Sequence, residues 1–174
     1  MNNIDEALNL ARAHSRFLDQ LLNARAPLND LLRDTLDAPL TEAAMRSHLE
    51  PATLDEHNLK ERLRSLRART MAHVAVRDLA GLASLAEVTE TMTLLAEVAI
   101  DAALPVCRKS LVARHGEPRN AAGDVQPFIV IGMGKLGGRE LNVSSDIDLI
   151  FIYPEDGQTD GPRVVDNFEF FTRL

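Results

Sequence analysis

The sequence predicts an α+β protein in which a helical segment comes first and strands enter late. Over the first two thirds the apolar residues recur at three and four positions with few turn signals, the period of helices that bury one face. The 174 residues are 45% hydrophobic but only 4% aromatic, with no Trp, which suits a Leu and Ala core and argues against a β-sandwich. After a Gly, Pro and Asn rich stretch from Gly116 to Asp124, read as a surface loop and a boundary, β-branched runs replace the helical period. Residues 1–115 are therefore expected to form a helical segment and residues 116–174 an α/β core that stops inside a domain.

Each element has its local reason. Ile4 to Leu22 and Leu28 to Leu36 read as helices joined by a turn at Ala26-Pro27. Thr53-Leu54-Asp55-Glu56 matches a capping box and opens a helix whose stripe is Leu59, Leu63, Leu66, Thr70 and Val74, ending at Gly81. Lys60, Arg62, Arg64, Arg67 and Arg69 decorate its other faces and read as a solvated surface. A second box, Ser84-Leu85-Ala86-Glu87, starts the next helix, with apolar positions Leu85, Val88, Met92, Leu95, Ala99 and Ala102. Pro105 is expected to kink or end it, because the ring meets the carbonyl of Asp101, and helix resumes to about His115. Phe128 to Ile131 is a continuous apolar run closed by Gly132, the pattern of a strand buried on both faces. A glycine-rich connection, Gly132 to Gly138, and a polar segment to Ser144-Ser145 lead to a second strand, Asp146 to Tyr153, stopped by Pro154. A turn at Glu155-Asp156-Gly157 then leads to a helical Val164 to Leu174 with no C-cap glycine.

Several functions are disfavoured at once. The net charge of -7 argues against nucleic acid as the main partner. Cys107 is alone, so no intrachain disulfide forms and a reducing, cytoplasmic home is expected; after a proline in an apolar helix it reads as a small core residue. The N-terminus lacks a signal-peptide pattern, and Met92 to Val106, broken by Glu97 and Asp101, is too short for a membrane span. His14, His48, His57, His73 and His115 stand at no zinc-ligand spacing.

The chemistry concentrates between Gly132 and Tyr153. Gly132-x-Gly134-x-x-Gly137 fits a dinucleotide fingerprint literally, but that motif needs a crossover helix in a unit of about 30 residues, and only about a dozen separate these strands. A P-loop is excluded, because Gly137-Gly138 is followed by Arg139-Glu140 in place of Lys-Ser or Lys-Thr. The reading that remains joins Gly137-Gly138 to Asp146-x-Asp148. Residues two apart on a strand share a face at roughly 6 to 7 Å, so both carboxylates can reach one Mg2+ site, an arrangement suited to phosphoryl or nucleotidyl transfer. The glycines admit phosphate oxygens close to the backbone, and Ser144 or Ser145 adds a hydroxyl. Lys135 and Arg139 flank the pair, Lys135 being the better phosphate ligand of the two. Without a ligand the two carboxylates would repel each other beside an apolar strand. The bland alternative makes Ser145-Asp146 a turn signal and Asp148 a solvent-facing residue of an edge strand.

The run Ile131-Gly-Met-Gly-Lys-Leu-Gly-Gly-Arg-Glu-Leu-Asn-Val-Ser-Ser-Asp-Ile-Asp-Leu-Ile-Phe151 resembles the signature of the bacterial glutamine synthetase adenylyltransferase family. It is more similar to the N-terminal, deadenylylating half of those bifunctional enzymes. Asp166 to Arg173 and Leu66 to Asp78 also resemble that half, so the likeness covers about Lys60 to Leu174. The resemblance implies a polymerase-β-like nucleotidyltransferase domain whose start follows the helical segment, with Asp146 and Asp148 as catalytic, Mg2+-binding residues and a third carboxylate beyond Leu174. It implies phosphorolysis of adenylyl-tyrosine on glutamine synthetase, with phosphate consumed and ADP released, so ATP or ADP and phosphate are the small-molecule partners. The PII signalling protein would act through regions with no counterpart in these 174 residues, and the chain alone is expected to be inactive. Three alternatives stay open: adenylyl transfer from ATP to the synthetase, a non-catalytic helical module that binds the synthetase or PII, and a small antibiotic-modifying nucleotidyltransferase.

Overall fold

The computed structural model describes residues 3–50 and 54–174, in the order α1(Asn3–His14), α2(Arg16–Ala24), α3(Pro27–Thr35), α4(Glu42–Leu49), α5(Leu59–Leu79), α6(Leu85–His115), β1(Pro118–Asn120), β2(Ile129–Gly132), α7(Gly134–Gly137), β3(Leu149–Ile152), β4(Gly157–Thr159) and α8(Asn167–Arg173). Helices thus fill the chain to His115 and two small antiparallel ribbons follow, an α+β arrangement.

Two apolar clusters organise the helices, and α5 serves both. Leu8, Leu18, Leu22, Leu32 and Leu36 of the first three helices close around Ala72 and Val76 of α5. Met45 and Leu49 of α4 meet Leu66 of α5 and Met92, Leu95 and Val98 of α6. Between Thr70 and Arg77 nearly every α5 residue is buried, so its polar side chains need internal partners. His73 and Arg77 find the carbonyls that end α3, whereas the buried Thr70 hydroxyl has no partner among the described residues. His73 Nε2 lies 3.0 Å from the Thr35 oxygen, and Arg77 donates to the Leu36 oxygen at 2.6 Å. Arg77 also donates to both oxygens of Glu87, at 2.6 and 3.1 Å, and to the Leu82 oxygen.

Several element boundaries differ from the sequence reading. One helix expected over Ile4 to Leu22 is two, because Ser15 leaves helical geometry and its hydroxyl accepts from the Leu18 N–H. The box at Thr53 lies outside the described residues; α5 starts at Leu59, after a turn in which the Asp55 carboxylate accepts from the His57 and Asn58 N–H groups. At Ser84 the hydroxyl does accept from the Glu87 N–H, while the Glu87 carboxylate turns to Arg77. Pro105 does not end α6, which runs on through it for 31 residues in all. It lies on an exposed face, as does Asp101, whose carbonyl loses its helical partner where water can replace it.

In the second region β2 and β3 pair antiparallel, Ile129 with Ile152 through Gly132 with Leu149. This excludes the dinucleotide reading, which requires parallel strands. The expectation that the first strand is buried on both faces fails. Ile129, Ile131, Ile150 and Ile152 project from one face and are exposed, while Val130, Leu149 and Phe151 line the side toward α6 and α8. The loop expected from Gly116 to Asp124 contains β1, which pairs antiparallel with β4. Aromatic residues concentrate here: Phe128 stacks on Phe151 and Phe171 at 5.3 and 5.2 Å between centroids, and Tyr153 stacks on Phe171 at 4.8 Å. α8 is capped by Asp166, whose carboxylate accepts from the Glu169 N–H at 2.6 Å.

Candidate functional site

The glycine-rich connection is a tight helical turn pressed against the strand it leaves. A Cβ on Gly137 would stand 2.5 Å from the Gly132 carbonyl oxygen, so only glycine lets α7 lie this close to β2. Gly134 has a φ of +52°, and a Cβ there would face the Asp148 carboxylate at 3.6 Å. The Met133 N–H donates to the Asp148 carbonyl at 2.9 Å, extending the β2–β3 pairing by one step. The glycine turn and the second aspartate are therefore neighbours.

The remaining predicted residues gather around Asn142. Its side-chain oxygen accepts from the Ser145 hydroxyl at 2.8 Å, from the Ser144 hydroxyl at 3.2 Å and from the Ser144 N–H at 3.1 Å. Lys135 Nζ lies 3.4 Å from Ser145 Oγ, a long contact that links α7 to the serine turn. Asp146 and Asp148 follow, both exposed, but the strand expected from Asp146 to Tyr153 is β3 over Leu149–Ile152 alone, so the pair precedes it and the shared face expected from strand alternation does not apply. The backbone N–H groups of Gly137 and Gly138 donate within the turn, to the Met133 and Gly134 oxygens. The pair thus offers a surface without side chains in place of free N–H donors.

Arg139 is tied elsewhere. Its guanidinium reaches back to α6, with Nη2 2.6 Å from Glu90 and Nη1 2.7 Å from Glu97, and the residue sits at φ +57°. The two carboxylates hold the guanidinium well above its ordinary pKa, and Arg139 in turn lowers that of Glu90. From inside, Leu136 and Leu141 are buried in the cluster of α4, α5 and α6. The turn is therefore fixed to the helices by two leucines and one ion-paired arginine. None of Asn142, Glu90, Glu97 or Leu136 was singled out from the sequence; the signals available were an Asx-turn residue ahead of two serines and two glutamates seven apart on one helix.

Asp146 and Asp148 offer hard oxygen donors, the type Mg2+ takes. Among the described residues no group of three or more His, Cys, Asp or Glu gathers as a metal site. Cys107 is half-buried and unpaired on α6. Among the described residues, no helix is long and apolar enough to cross a membrane.

Comparison with known proteins agrees with the motif. The profile of the glutamate-ammonia ligase adenylyltransferase family matches residues 6–174. The chain is 54% identical over 98% of its length to the bifunctional glutamine synthetase adenylyltransferase/adenylyl-removing enzyme of Aromatoleum aromaticum. The enzymes of the same name from Nitrosomonas eutropha and Burkholderia mallei are 45% and 46% identical over 92% and 95% of the chain. The chain spans 18%, 18% and 19% of these three relatives, under a fifth of each. A family profile covering nearly the whole chain, on a fold that sets Asp148 of the motif beside Gly134, is decisive: the chain belongs to the glutamate-ammonia ligase adenylyltransferase family.

Proposed function

We propose that this chain contributes part of a nucleotidyltransferase site that removes AMP from adenylylated glutamine synthetase. The observation that carries the proposal is the approach of the Asp148 carboxylate to Gly134, 3.6 Å from where a Cβ would stand. The Gly134 end of the turn and the exposed Asp148 then share one surface, with Lys135 and Ser145 at its edge and the exposed Asp146 two residues before. The fold we infer for residues 116–174 is the start of a polymerase-β-like nucleotidyltransferase core behind a helical segment at 1–115. Support for removal over addition comes from the likeness of Ile131 to Phe151 to the deadenylylating half of the family.

In this reaction an oxygen of inorganic phosphate attacks the phosphorus of adenylyl-tyrosine. The bond from phosphorus to the tyrosine oxygen breaks, the tyrosine oxygen takes a proton, and ADP leaves. Asp146 and Asp148 would hold Mg2+, which when bound neutralises phosphate oxygens and orients the leaving group. Lys135 places a cation beside the incoming phosphate, and Gly134 and Gly138 keep side chains out of its path. Ser144 and Ser145 both donate their hydroxyl protons to Asn142, and either would serve a phosphate oxygen by rotating its hydroxyl away from that amide.

The test is ADP release from adenylylated glutamine synthetase with phosphate and Mg2+. It compares these 174 residues, the chain extended past Leu174, and the extended chain carrying Asp148→Asn. Activity is expected only in the unmutated extended chain, because two carboxylates are an incomplete metal set. A folded extended chain that releases no ADP rejects the removal assignment.

A further inference from the structure

A cavity with no residue of the glycine turn in its lining lies where the α2–α3 corner meets α4 and α5. Its volume is about 670 Å³, within the range of small-ligand sites. Leu28 and Leu31 supply an apolar wall; Arg25, Arg64, Arg69 and His48 line the rest, with Glu61 the one carboxylate.

Half of the sixteen arginines of this acidic chain pair with a carboxylate, and Arg69 is not among them. Arg12, Arg33, Arg46, Arg77, Arg108, Arg119, Arg139 and Arg173 each sit within ion-pair distance of a carboxylate. Among the described residues Arg69 does not, although it is half-buried; neither do Arg62, Arg64 and Arg67 on the same helix. Its contact is with the ring of His48, Nη1 to Nδ1 at 3.4 Å, and His48 Nε2 lies 3.1 Å from Ser65 Oγ. Burial, then the charges of Arg69 and Arg62, push the His48 pKa down, so the ring is neutral and accepts at Nδ1 while donating from Nε2. Burial lowers Arg69 as well. A neutral ring satisfies a hydrogen bond but not a charge, and a half-buried cation without a counter-ion is costly. The sequence reading of Lys60 to Arg69 as a solvated face therefore fails at Arg69.

We propose that this cavity binds a small organic anion, its carboxylate or phosphate head on Arg69 with Arg64 and Arg25 beside it and its apolar body against Leu28 and Leu31. The planar guanidinium presents paired donors to an oxyanion, and the neutral imidazole holds that plane in place.

The experiment titrates butyrate and butyl phosphate, two heads on one body, with butanol as the neutral control. Shifts of the Ser65, Ala68 and Arg69 amides and of the Arg69 Nε–H are followed by NMR at about 0.15 M salt, where non-specific surface pairing is screened. Saturable shifts with at least one anion and none with butanol are expected, and the preferred head identifies the ligand class. Arg69→Gln should weaken binding about tenfold or more and the exposed Arg64→Gln less, whereas Arg119→Gln, on the β1–β4 ribbon, should change nothing. Absence of saturation with both anions overturns the proposal. Equal affinity in Arg69→Gln also overturns it, and should that variant not fold, unchanged affinity in Arg64→Gln does so.

Discussion

The helical bundle and the strand-bearing region solve the same problem in opposite ways. In the bundle, α5 passes through the middle and the charged and imidazole groups it buries are met, Arg77 by a carboxylate and two carbonyls and His73 by one carbonyl, while the Thr70 hydroxyl is left without a partner among the described residues. In the second region the β2–β3 ribbon has helices on one side and four exposed isoleucines on the other. Its apolar strands are held by stacked rings, not by enclosure. Stability therefore belongs to the bundle, and the candidate site borrows it through Leu136, Leu141 and Arg139.

Arg77→Ala should show the contrast at its greatest. It leaves Glu87 and two carbonyls without their donor in a buried setting, and about 3–5 kcal/mol of unfolding free energy should be lost in urea titration. An effect below 1 kcal/mol, the expectation for the exposed Arg119–Asp160 pair, would show that the bundle does not depend on this network. Leu136→Ala follows, at about 2–5 kcal/mol, because it empties a place in the helical cluster. The same variant should free the glycine turn, read as faster hydrogen exchange at Gly137 and Gly138. Gly137→Ala comes next at about 1–3 kcal/mol from the collision with the Gly132 oxygen. Gly138→Ala meets the nearest atom at an ordinary 3.5 Å and should stay within about 0.5 kcal/mol, so any loss of phosphate-dependent activity there reports on the site and not on the fold.

The pH dependence should also come from the bundle. Burial holds the His73 imidazole, and burial followed by Arg69 and Arg62 holds that of His48, below the ordinary value. The unfolded chain then binds more protons than the native one as pH falls through about 6.5, so stability is full above that pH and declines below it. His73→Gln should flatten the acid limb of the stability profile measured between about pH 7 and about pH 5. An unchanged limb would exclude His73 and leave His48 as the group of the bundle that carries it. Smallest of all, Ile150→Thr on the exposed ribbon face should alter stability by about 0.5 kcal/mol or less.

What could be read in advance follows the range of the interactions. Ser84 opens α6 as expected, since a cap acts within a few residues, and helix does run to His115. The short connection after Gly132 correctly disfavoured a parallel crossover, a matter of chain length. Ser15 was missed because a serine inside a continuing apolar period gives no sign that its hydroxyl will cap. Pro105 was misjudged because its cost depends on whether the freed carbonyl faces water, which the period alone does not show. β1 hides in a Gly and Pro rich stretch, since its reason to exist is a partner 37 to 41 residues away in the chain. In the site, Gly134, Lys135, Ser145 and Asp148 are near neighbours in sequence and are near in space. The tie from Arg139 to Glu90 and Glu97 crosses more than 40 residues, and so does not register in a local motif.

Arg139 also has an evolutionary consequence. A non-glycine residue at φ +57° bears a conformational cost of about 1–2 kcal/mol, offset here by two carboxylates on α6. Glycine would relax the backbone but surrender the grip; arginine keeps the grip and tolerates the twist. Loss of Glu90 or Glu97 removes the advantage of tolerating it, so positions 90, 97 and 139 should drift together among natural variants, with glycine entering at 139 where the acidic pair has gone.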